Sequence, residues 1–382
     1  MKICHIITRL IVGGAQENTL LTCEGLSERG HDVTLITGPA MGPEGELMTR
    51  ALAGEYRVIV VDEMRREINA LRDLLTYRRL KGLLRELGPD VVHTHSSKAG
   101  ILGRQAAGRL GGMKIVHTVH GLPYHRHQSG LVNRFYIGLE RRAAARSDAI
   151  ISVADAMTVQ ALAAGVGLAQ QYTTIYSGME VEPFINRPGE ADEFRRSLKL
   201  PAEAVLITQV SRLAELKGHE YLLAAAAEVA DLPVWFCLVG DGELRGQIEA
   251  EIERRELAGR FHLTGLVPPA RIPAIMHASD IVIHCSLREG LARALPQAML
   301  AGKSVISFDT DGAGEVVNDR TGILVAPKDT AGLVRAIRKL AGDAALRSRM
   351  GQEGRNACRE RFDHNHMVDQ IEAVYRRVGI GE

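Results

Sequence analysis

The sequence lacks the features that mark membrane-spanning, disulfide-stabilised and nucleic-acid-binding proteins. No apolar run approaches the roughly eighteen residues of a membrane span, and the start of the chain resembles a short strand rather than a signal peptide. The five cysteines are scattered without a C-x-x-C pair, which favours reduced core residues over a disulfide framework. A net charge of +1 gives no general attraction to nucleic acid. We therefore expect a cytoplasmic protein without an anchor.

The composition is instead that of an α/β enzyme. The 382 residues are 46% apolar and include 39 glycines, whereas only 4% are aromatic. This length exceeds what one hydrophobic core supports and suits two domains. Short β-branched runs alternate with glycine-bearing loops and helical segments in both halves, as expected for parallel sheets. Prolines at 183 and 188 predict a linker of irregular structure between the halves.

Residues 281–308 form the most informative stretch. Residues 281–285 are short and β-branched, as in a strand that is buried on both faces. A polar loop with Glu289 follows, and Pro296 predicts the first turn of a helix that ends at Gly302. Glu289 is therefore expected beyond the carboxyl end of a strand, where open α/β sheets bind ligands.

Two cations follow the first strand of the second half. Arg212 and Lys217 lie in one loop between a predicted strand at 204–210 and an alanine-rich helix. A helix N-terminus favours anions, Arg can donate two parallel hydrogen bonds to a phosphate, and Lys supplies a point charge. The pattern predicts a phosphate site, and two solvated surface cations are the alternative.

The first half of the chain contains glycine and histidine residues in loops that follow predicted strands. Gly13 and Gly14 follow the first predicted strand and allow the backbone to approach a ligand, although a tight turn is the alternative. They are not part of a G-x-G-x-x-G motif, so nicotinamide or flavin binding is not supported. His95 and His120 each follow a predicted strand, so two histidine-bearing loops are expected at one edge of the sheet.

Together these motifs resemble those of the family 4 glycosyltransferases, also called glycosyl transferases group 1. The matching features are Arg-x4-Lys-Gly from Arg212, Thr-Val-His-Gly around His120, and an E-x7-E motif that begins at Glu289. One position departs, because Gln297 replaces the second Glu. The resemblance covers nearly the whole chain.

The resemblance implies an α/β GT-B fold with two Rossmann-like domains whose parallel sheets face each other across a deep cleft. It implies an acceptor-side domain at 1–183, a nucleotide-sugar-binding domain at 184–360, and a terminal helix at 361–382 that crosses back to the first domain. It also implies retaining, metal-independent hexosyl transfer from a nucleotide-diphosphate sugar, with UDP favoured, to a glycan or lipid-linked acceptor in cell-surface polysaccharide biosynthesis. The donor is a substrate, and neither a cofactor nor a nucleic acid partner is implied.

The family motifs carry residue roles onto this chain. The residues implied in catalysis are His120, Arg212, Lys217 and Glu289. The residues implied in donor binding are Gly13, Gly14, Gly240, Leu266, Val267, Gly290, Leu291, Ala292 and Gln297. A Gln carbonyl can still accept a hydrogen bond from ribose, but without the help of charge. Asp309-Thr310-Asp311 resembles the metal motif of another glycosyltransferase fold, and within a GT-B pattern we expect it to bind no metal.

Three alternatives stay open. Residues 64–86 carry seven Lys/Arg against three Asp/Glu and predict an amphipathic helix that packs on its own sheet. The alternative for this segment is peripheral contact with an anionic membrane surface, where each basic residue contributes about 1 kcal/mol. For the whole chain, the alternatives are a nucleotide-sugar 2-epimerase of similar fold and a non-catalytic nucleotide-sugar-binding subunit.

Overall fold

The computed structural model describes residues 1–39 and 47–379 and divides into two compact units. Unit 1 comprises the described residues of Met1–Met179 and Asp363–Glu382, and unit 2 is Glu180–Phe362. Residues 380–382 of the predicted terminal segment lie outside the described residues. Unit 2 is therefore inserted, along the chain, between two segments of unit 1.

Unit 1 is built on a parallel sheet. Within the described residues its seven strands are ordered β3-β2-β1-β4-β5-β6-β7. They are β1 (Lys2–Ile7), β2 (Asp32–Thr37), β3 (Arg57–Val60), β4 (Val91–His95), β5 (Lys114–Val119), β6 (Ala149–Ser152) and β7 (Tyr172–Thr174). His95 is the last residue of β4 and is fully buried, so the prediction that placed it in a loop is wrong.

Helices connect these strands. They are α1 (Gly14–Glu28), α2 (Met48–Ala53), α3 (Ala70–Leu87), α4 (Ser97–Leu110), α5 (Gly130–Ala144), α6 (Asp155–Ala163) and a terminal helix (His364–Arg377), with a 3₁₀ turn at Ala169–Gln171. The predicted helix at 64–86 begins only at Ala70, because the Asn69 side chain accepts a hydrogen bond from the Arg72 N–H and caps the helix there.

Unit 2 repeats the architecture. Its six described strands are all parallel and are ordered β10-β9-β8-β11-β12-β13. They are β8 (Val205–Val210), β9 (Val234–Val239), β10 (Phe261–Gly265), β11 (Ile281–His284), β12 (Ser304–Phe308) and β13 (Gly322–Val325). The prediction of two Rossmann-like α/β domains with parallel sheets is confirmed.

The first helix of unit 2 lies within the predicted linker. They are α7 (Glu182–Ile185), α8 (Glu190–Ser197), α9 (His219–Glu228), α10 (Arg245–Arg254), α11 (Ile272–Ala278), α12 (Ala294–Leu300), α13 (Ala313–Val316), α14 (Thr330–Gly342) and α15 (Ala344–Cys358), with 3₁₀ turns at Ala258–Arg260 and Pro269–Arg271. The prediction of irregular structure is wrong at Pro183, which occupies the first turn of α7, where its missing N–H costs nothing. It is confirmed at Pro188, which lies in the irregular residues 186–189 between α7 and α8.

Buried apolar residues line the faces of each sheet. The terminal helix contributes Met367, Val368, Ile371, Val374 and Tyr375 to the core of unit 1. All five cysteines are buried and free, as predicted. Within the described ranges, every helix is too short or too polar to span a membrane.

Candidate active site

The loop between β8 and α9 is fixed against the exit of β11. Gly218 has a φ of +71°, and a Cβ there would lie 2.0 Å from the Cys285 carbonyl oxygen, so only glycine fits. The Leu287 N–H donates to the Leu216 carbonyl at 2.8 Å. These contacts bring Lys217 next to the loop that carries Glu289.

Lys217 and Glu289 form an ion pair at the carboxyl edge of the unit 2 sheet. Lys217 Nζ contacts Glu289 Oε1, with side chains 19% and 21% exposed. His284 Nε2, at the end of β11, lies 3.4 Å from the same carboxylate oxygen. Burial alone would raise the pKa of Glu289, but the charge of Lys217 and the His284 contact hold it well below its ordinary value. Glu289 is therefore a fixed carboxylate.

Asp311 positions the backbone of the Glu289 loop. Its Oδ2 accepts a hydrogen bond from the Glu289 N–H at 2.7 Å, and its own φ is +50°, a region that non-glycine residues rarely adopt. The second carboxylate of Asp309-Thr310-Asp311 thus holds a neighbouring loop.

Arg212 lies on the same loop as Lys217 and is exposed. Its carbonyl accepts a hydrogen bond from His219 Nε2 at 3.1 Å, which ties the start of the loop to the first residue of α9. The Gln209 amide donates to the Lys217 carbonyl at 3.0 Å. The two cations therefore lie on a braced loop that leads into a helix N-terminus, an arrangement that suits an anionic ligand.

The other predicted residues of unit 2 follow strand ends or begin helices. Gly240 follows β9 with a φ of +134°, and a Cβ there would lie 2.1 Å from the Ser211 carbonyl oxygen. Leu266 is 49% exposed beyond β10, and Val267 is partly buried against the neighbouring core. Gly290, Leu291 and Ala292 are buried in the loop before α12, and Gln297 is partly exposed on α12.

Of the predicted residues of unit 1, His120 lines a cavity of about 250 Å³. His120 and Gly121, which follow β5, line it together with Ala15 near the start of α1. Gly13 precedes α1 with a φ of 175°, which is ordinary extended backbone, and Gly14 is the first helical residue. Gly13 therefore shows no backbone conformation that requires glycine, and a ligand role for the pair stays a prediction.

Sequence reasoning named His95 and Asp311 without their contacts at these sites, and it missed His284. His284 and Asp311 contact Glu289, and His95 contacts His120 through a 3.1 Å pair of ring nitrogens. Alternation along β4 was an available signal, because His93 and His95 must point to the same face of the sheet. Within the described ranges, the group of side chains able to surround a metal ion is His5, His93 and His95, all of them buried.

Comparisons with known proteins cover both units. The profile described as Glycosyltransferase Family 4 matches residues 12–182, and the one described as Glycosyl transferases group 1 matches residues 190–357. A UDP-Gal:alpha-D-GlcNAc-diphosphoundecaprenol alpha-1,3-galactosyltransferase of Escherichia coli is 29% identical, with 98% of this chain and 96% of that protein aligned. A 2-deoxystreptamine glucosyltransferase of Streptomyces kanamyceticus is 30% identical over 75% of this chain and 76% of its own.

Solved structures agree on the fold. Anabaena HepE in complex with UDP and glucose superimposes with a TM-score of 0.84 at 23% identity, covering 98% of this chain and 99% of that one. Sucrose-phosphate synthase of Thermosynechococcus elongatus gives a TM-score of 0.84 at 21% identity and covers 99% of both chains. The fold is therefore GT-B, and the chain belongs to the glycosyl transferases group 1, the family 4 glycosyltransferases.

Proposed function

We propose that this glycosyltransferase moves a hexose from a UDP-sugar to a glycan or lipid-linked acceptor, with retention at the anomeric carbon and without a metal ion. The observation that carries the proposal is the braced Lys217–Glu289 pair at the carboxyl edge of the unit 2 sheet. The E. coli relative uses UDP-Gal and a diphosphoundecaprenol-linked acceptor, as its name states, and Anabaena HepE binds UDP and glucose. These names support the donor and acceptor classes.

Each charged group has a defined task in this proposal. Departure of the nucleoside diphosphate leaves positive charge on the sugar and negative charge on the β-phosphate. Arg212 and Lys217 stabilise that negative charge, and a preorganised donor of this kind typically contributes about 3–4 kcal/mol to transition-state stabilisation. Glu289 accepts hydrogen bonds from sugar hydroxyls, and His120 contacts the sugar.

The remaining residues hold the nucleotide. Gln297 accepts a hydrogen bond from ribose, and the backbone at Leu266 and Val267 contacts the base. Glycines at 13, 14, 240 and 290 let the backbone approach the donor, next to Leu291 and Ala292. Arg212, Lys217 and backbone amides neutralise the diphosphate. Asp311 holds the Glu289 loop and does not bind a metal ion.

A donor screen tests the proposal. The purified protein is mixed with UDP-, GDP- and ADP-sugars, and its thermal unfolding is recorded, since a ligand at a hundred times its dissociation constant stabilises by about 2.7 kcal/mol. UDP-sugars should raise the melting temperature, and prolonged incubation should release UDP slowly. Excess EDTA should change neither result.

The matched variants are Arg212→Ala and Arg320→Ala. Arg212→Ala should abolish UDP release, whereas Arg320→Ala removes a 77% exposed cation that pairs with Glu353 and should not. Conversion of the donor alone to its 2-epimer would support the epimerase instead. Tight UDP-sugar binding without any turnover in the presence of lipid-linked acceptors would support the binding subunit.

The acceptor side of the proposal includes peripheral membrane contact at the cytoplasmic face through residues 64–86. Ile68, Leu71 and Leu75 are 69%, 75% and 49% exposed, among the basic residues of this segment. Helices α3 and α5 both pack on α4, and the first turn of α5 exposes Leu131. Apolar side chains flanked by cations suit an anionic interface.

Vesicle sedimentation tests this contact. The protein should sediment with vesicles that contain anionic lipid, and Leu71→Ser combined with Leu75→Ser should weaken the binding about thirtyfold or more, since each substitution removes roughly 1 kcal/mol or more of interfacial burial. The control Val159→Ser changes an apolar residue that is 66% exposed on α6. Equal binding of all three proteins would contradict the contact.

A further inference from the structure

Three buried histidines lie behind His120 in the core of unit 1. His5 on β1 pairs in register with His93 on β4, and His95 lies two residues further along β4. All three are fully buried. Burial lowers the pKa of His5 to about 3 and holds the pKa values of His93 and His95 well below the ordinary value. These rings are therefore neutral at physiological pH.

A chain of two hydrogen bonds joins three of the rings. His5 Nδ1 lies 3.0 Å from His95 Nε2, and His95 Nδ1 lies 3.1 Å from His120 Nε2. A neutral imidazole has one N–H and one bare nitrogen. His95 therefore donates through one nitrogen and accepts through the other, so both hydrogen bonds must run in the same direction along the chain.

The buried end of the chain sets that direction. Among the described residues, His5 Nε2 is buried without a hydrogen-bond partner. An unpaired buried N–H is a rarer and costlier arrangement than an unpaired lone pair, so the His5 proton belongs on Nδ1. His5 then donates to His95 Nε2, and His95 Nδ1–H donates to His120 Nε2. His120 must in turn carry its own proton on Nδ1.

His93 does not belong to this chain. Its Nδ1 lies 2.6 Å from Tyr375 Oη, and its Nε2 lies 2.7 Å from Thr118 Oγ1. Both of its nitrogens are thus engaged with neutral partners, which also argues against a metal ion held by His5, His93 and His95. His93 matches His95 in strand and burial but differs in what it contacts.

We propose that His5 and His95 are positioning residues that hold His120 in its Nδ1–H tautomer, with Nε2 as the acceptor. The inference rests on the proposed function for its consequence: the ring nitrogen of His120 that can donate to a sugar hydroxyl is then Nδ1. A histidine without such a partner favours the Nε2–H tautomer, so loss of the chain would reverse the donor and acceptor nitrogens of the ring.

The test is a ¹⁵N–¹H spectrum of the histidine rings in the full-length protein, assigned with His120→Gln. His120 should show the Nδ1–H pattern in the unmodified protein, and His95→Leu should shift it to Nε2–H. His95→Leu should also lower kcat about tenfold or more, because it removes a partner that orients a functional histidine. It should change the KM for the UDP-sugar less than threefold.

His93→Leu is the matched control. It removes an equally buried ring from the same strand and should leave the His120 spectrum and kcat near those of the unmodified protein, even if it lowers the melting temperature. An Nε2–H pattern for His120 in the unmodified protein would overturn the inference without any variant. Equal His120 spectra in His93→Leu and His95→Leu would also overturn the inference. A shift of the His5 and His95 signals on addition of Zn²⁺ would overturn it too.

The spectra also separate this inference from the proposed function. An Nδ1–H pattern in a protein that turns over no UDP-sugar would contradict the proposed function and leave the tautomer assignment standing. Turnover with an Nε2–H pattern at His120 would contradict the inference alone.

Discussion

Glu289 stays ionised although most of its side chain is buried. Its pKa is held below the model-peptide value of 4.5 by Lys217 and His284, although burial opposes that shift. A lowered carboxyl pKa means that the stabilising interaction is fully present above the unfolded-state pKa. It is lost as the pH falls through the folded-state pKa.

Glu289→Gln should therefore destabilise the protein in a pH-dependent way. At pH 7 the variant leaves Lys217 without its carboxylate, and we expect a loss of about 1.5–3 kcal/mol in the free energy of unfolding, measured with urea. Below pH 4.5 the unfolded wild-type chain binds a proton at Glu289 that the folded chain does not. The difference in the free energy of unfolding between wild type and Glu289→Gln should therefore shrink.

Glu353→Gln is the control for this experiment. It breaks an exposed pair with Arg320, and such pairs contribute at most about 1 kcal/mol. The free energies of unfolding of wild type and Glu289→Gln could instead differ by a constant amount from pH 7 to acid pH. That result would show that the Glu289 pKa is not lowered.

Gln297 is the departure from the family motif, and restoring the acid should not harm the enzyme. Gln297→Glu gives ribose a charged acceptor, and charge-assisted hydrogen bonds are roughly twice as strong as neutral ones. We expect the KM for the UDP-sugar to fall severalfold, with kcat unchanged or higher. Gln247→Glu, on an exposed position of α10, should change neither constant. A tenfold fall in activity of Gln297→Glu would contradict this account of the ribose contact.

Residue spacing predicted only some of the residues of the charged site. Arg212, Lys217 and Glu289 were identifiable because the motif order and the strand-to-helix loops are visible in the sequence. The contacts of Asp311 and His284 with Glu289 were not, since they depend on how separate loops and a strand end meet at the sheet edge. Tertiary contacts between loops leave no local pattern.

At the scale of elements, the Gly218 turn holds the loop between β8 and α9 against the exit of β11. Gly218→Ala places a Cβ against the Cys285 carbonyl and forces a non-glycine residue into a left-handed backbone conformation. We expect more than about 2 kcal/mol of destabilisation, because strain and a backbone clash add, together with weaker UDP-sugar binding as Lys217 moves. Urea unfolding and donor titration measure the two effects.

Gly82→Ala is the matched control. Gly82 lies in the interior of α3, and a Cβ there meets nothing within 4 Å. Alanine should stabilise the helix by about 0.5–1 kcal/mol. Unchanged stability of Gly218→Ala would show that the two loops are not held as described.

Element types were easier to predict than element ends. Buried β-branched runs identified strands such as β8 and β11, whereas the short strand β3 and helix α5 were not predicted. Asn69 moved the start of α3 from the predicted position by capping it, and Pro183 began a helix instead of a linker. Caps and first-turn prolines act within one turn, so they shift boundaries without changing the order of elements.

At the scale of the whole molecule, unit 1 is discontinuous in sequence. The His364 N–H donates to the Met179 carbonyl at 3.1 Å, and Met179 pairs with Asp363 in an isolated parallel bridge. The two chain segments of unit 1 therefore meet where unit 2 is inserted. No local pattern predicts this junction, because it joins residues that are far apart in the chain.

Unit 1 should fold as a shortened chain in which residues 1–179 are joined to 363–379 by a short Gly-Ser linker. The terminal helix packs on α1 and buries Met367, Val368, Ile371 and Val374. Each such side chain contributes about 1.5–3 kcal/mol, so the helix supplies a share comparable with the whole stability of a domain, about 5–15 kcal/mol. The joined chain should be monomeric and unfold cooperatively in urea, as followed by circular dichroism.

Residues 1–179 alone should aggregate or unfold without a cooperative transition, because the apolar face beneath the terminal helix is then exposed to water. The joined chain with Val368→Asp and Ile371→Asp has the same length and linker and should behave like the truncated one. Cooperative unfolding of residues 1–179 at the same urea midpoint as the joined chain would show that the terminal helix is an appendage. Its burial against α1 would then contribute little to the stability of unit 1.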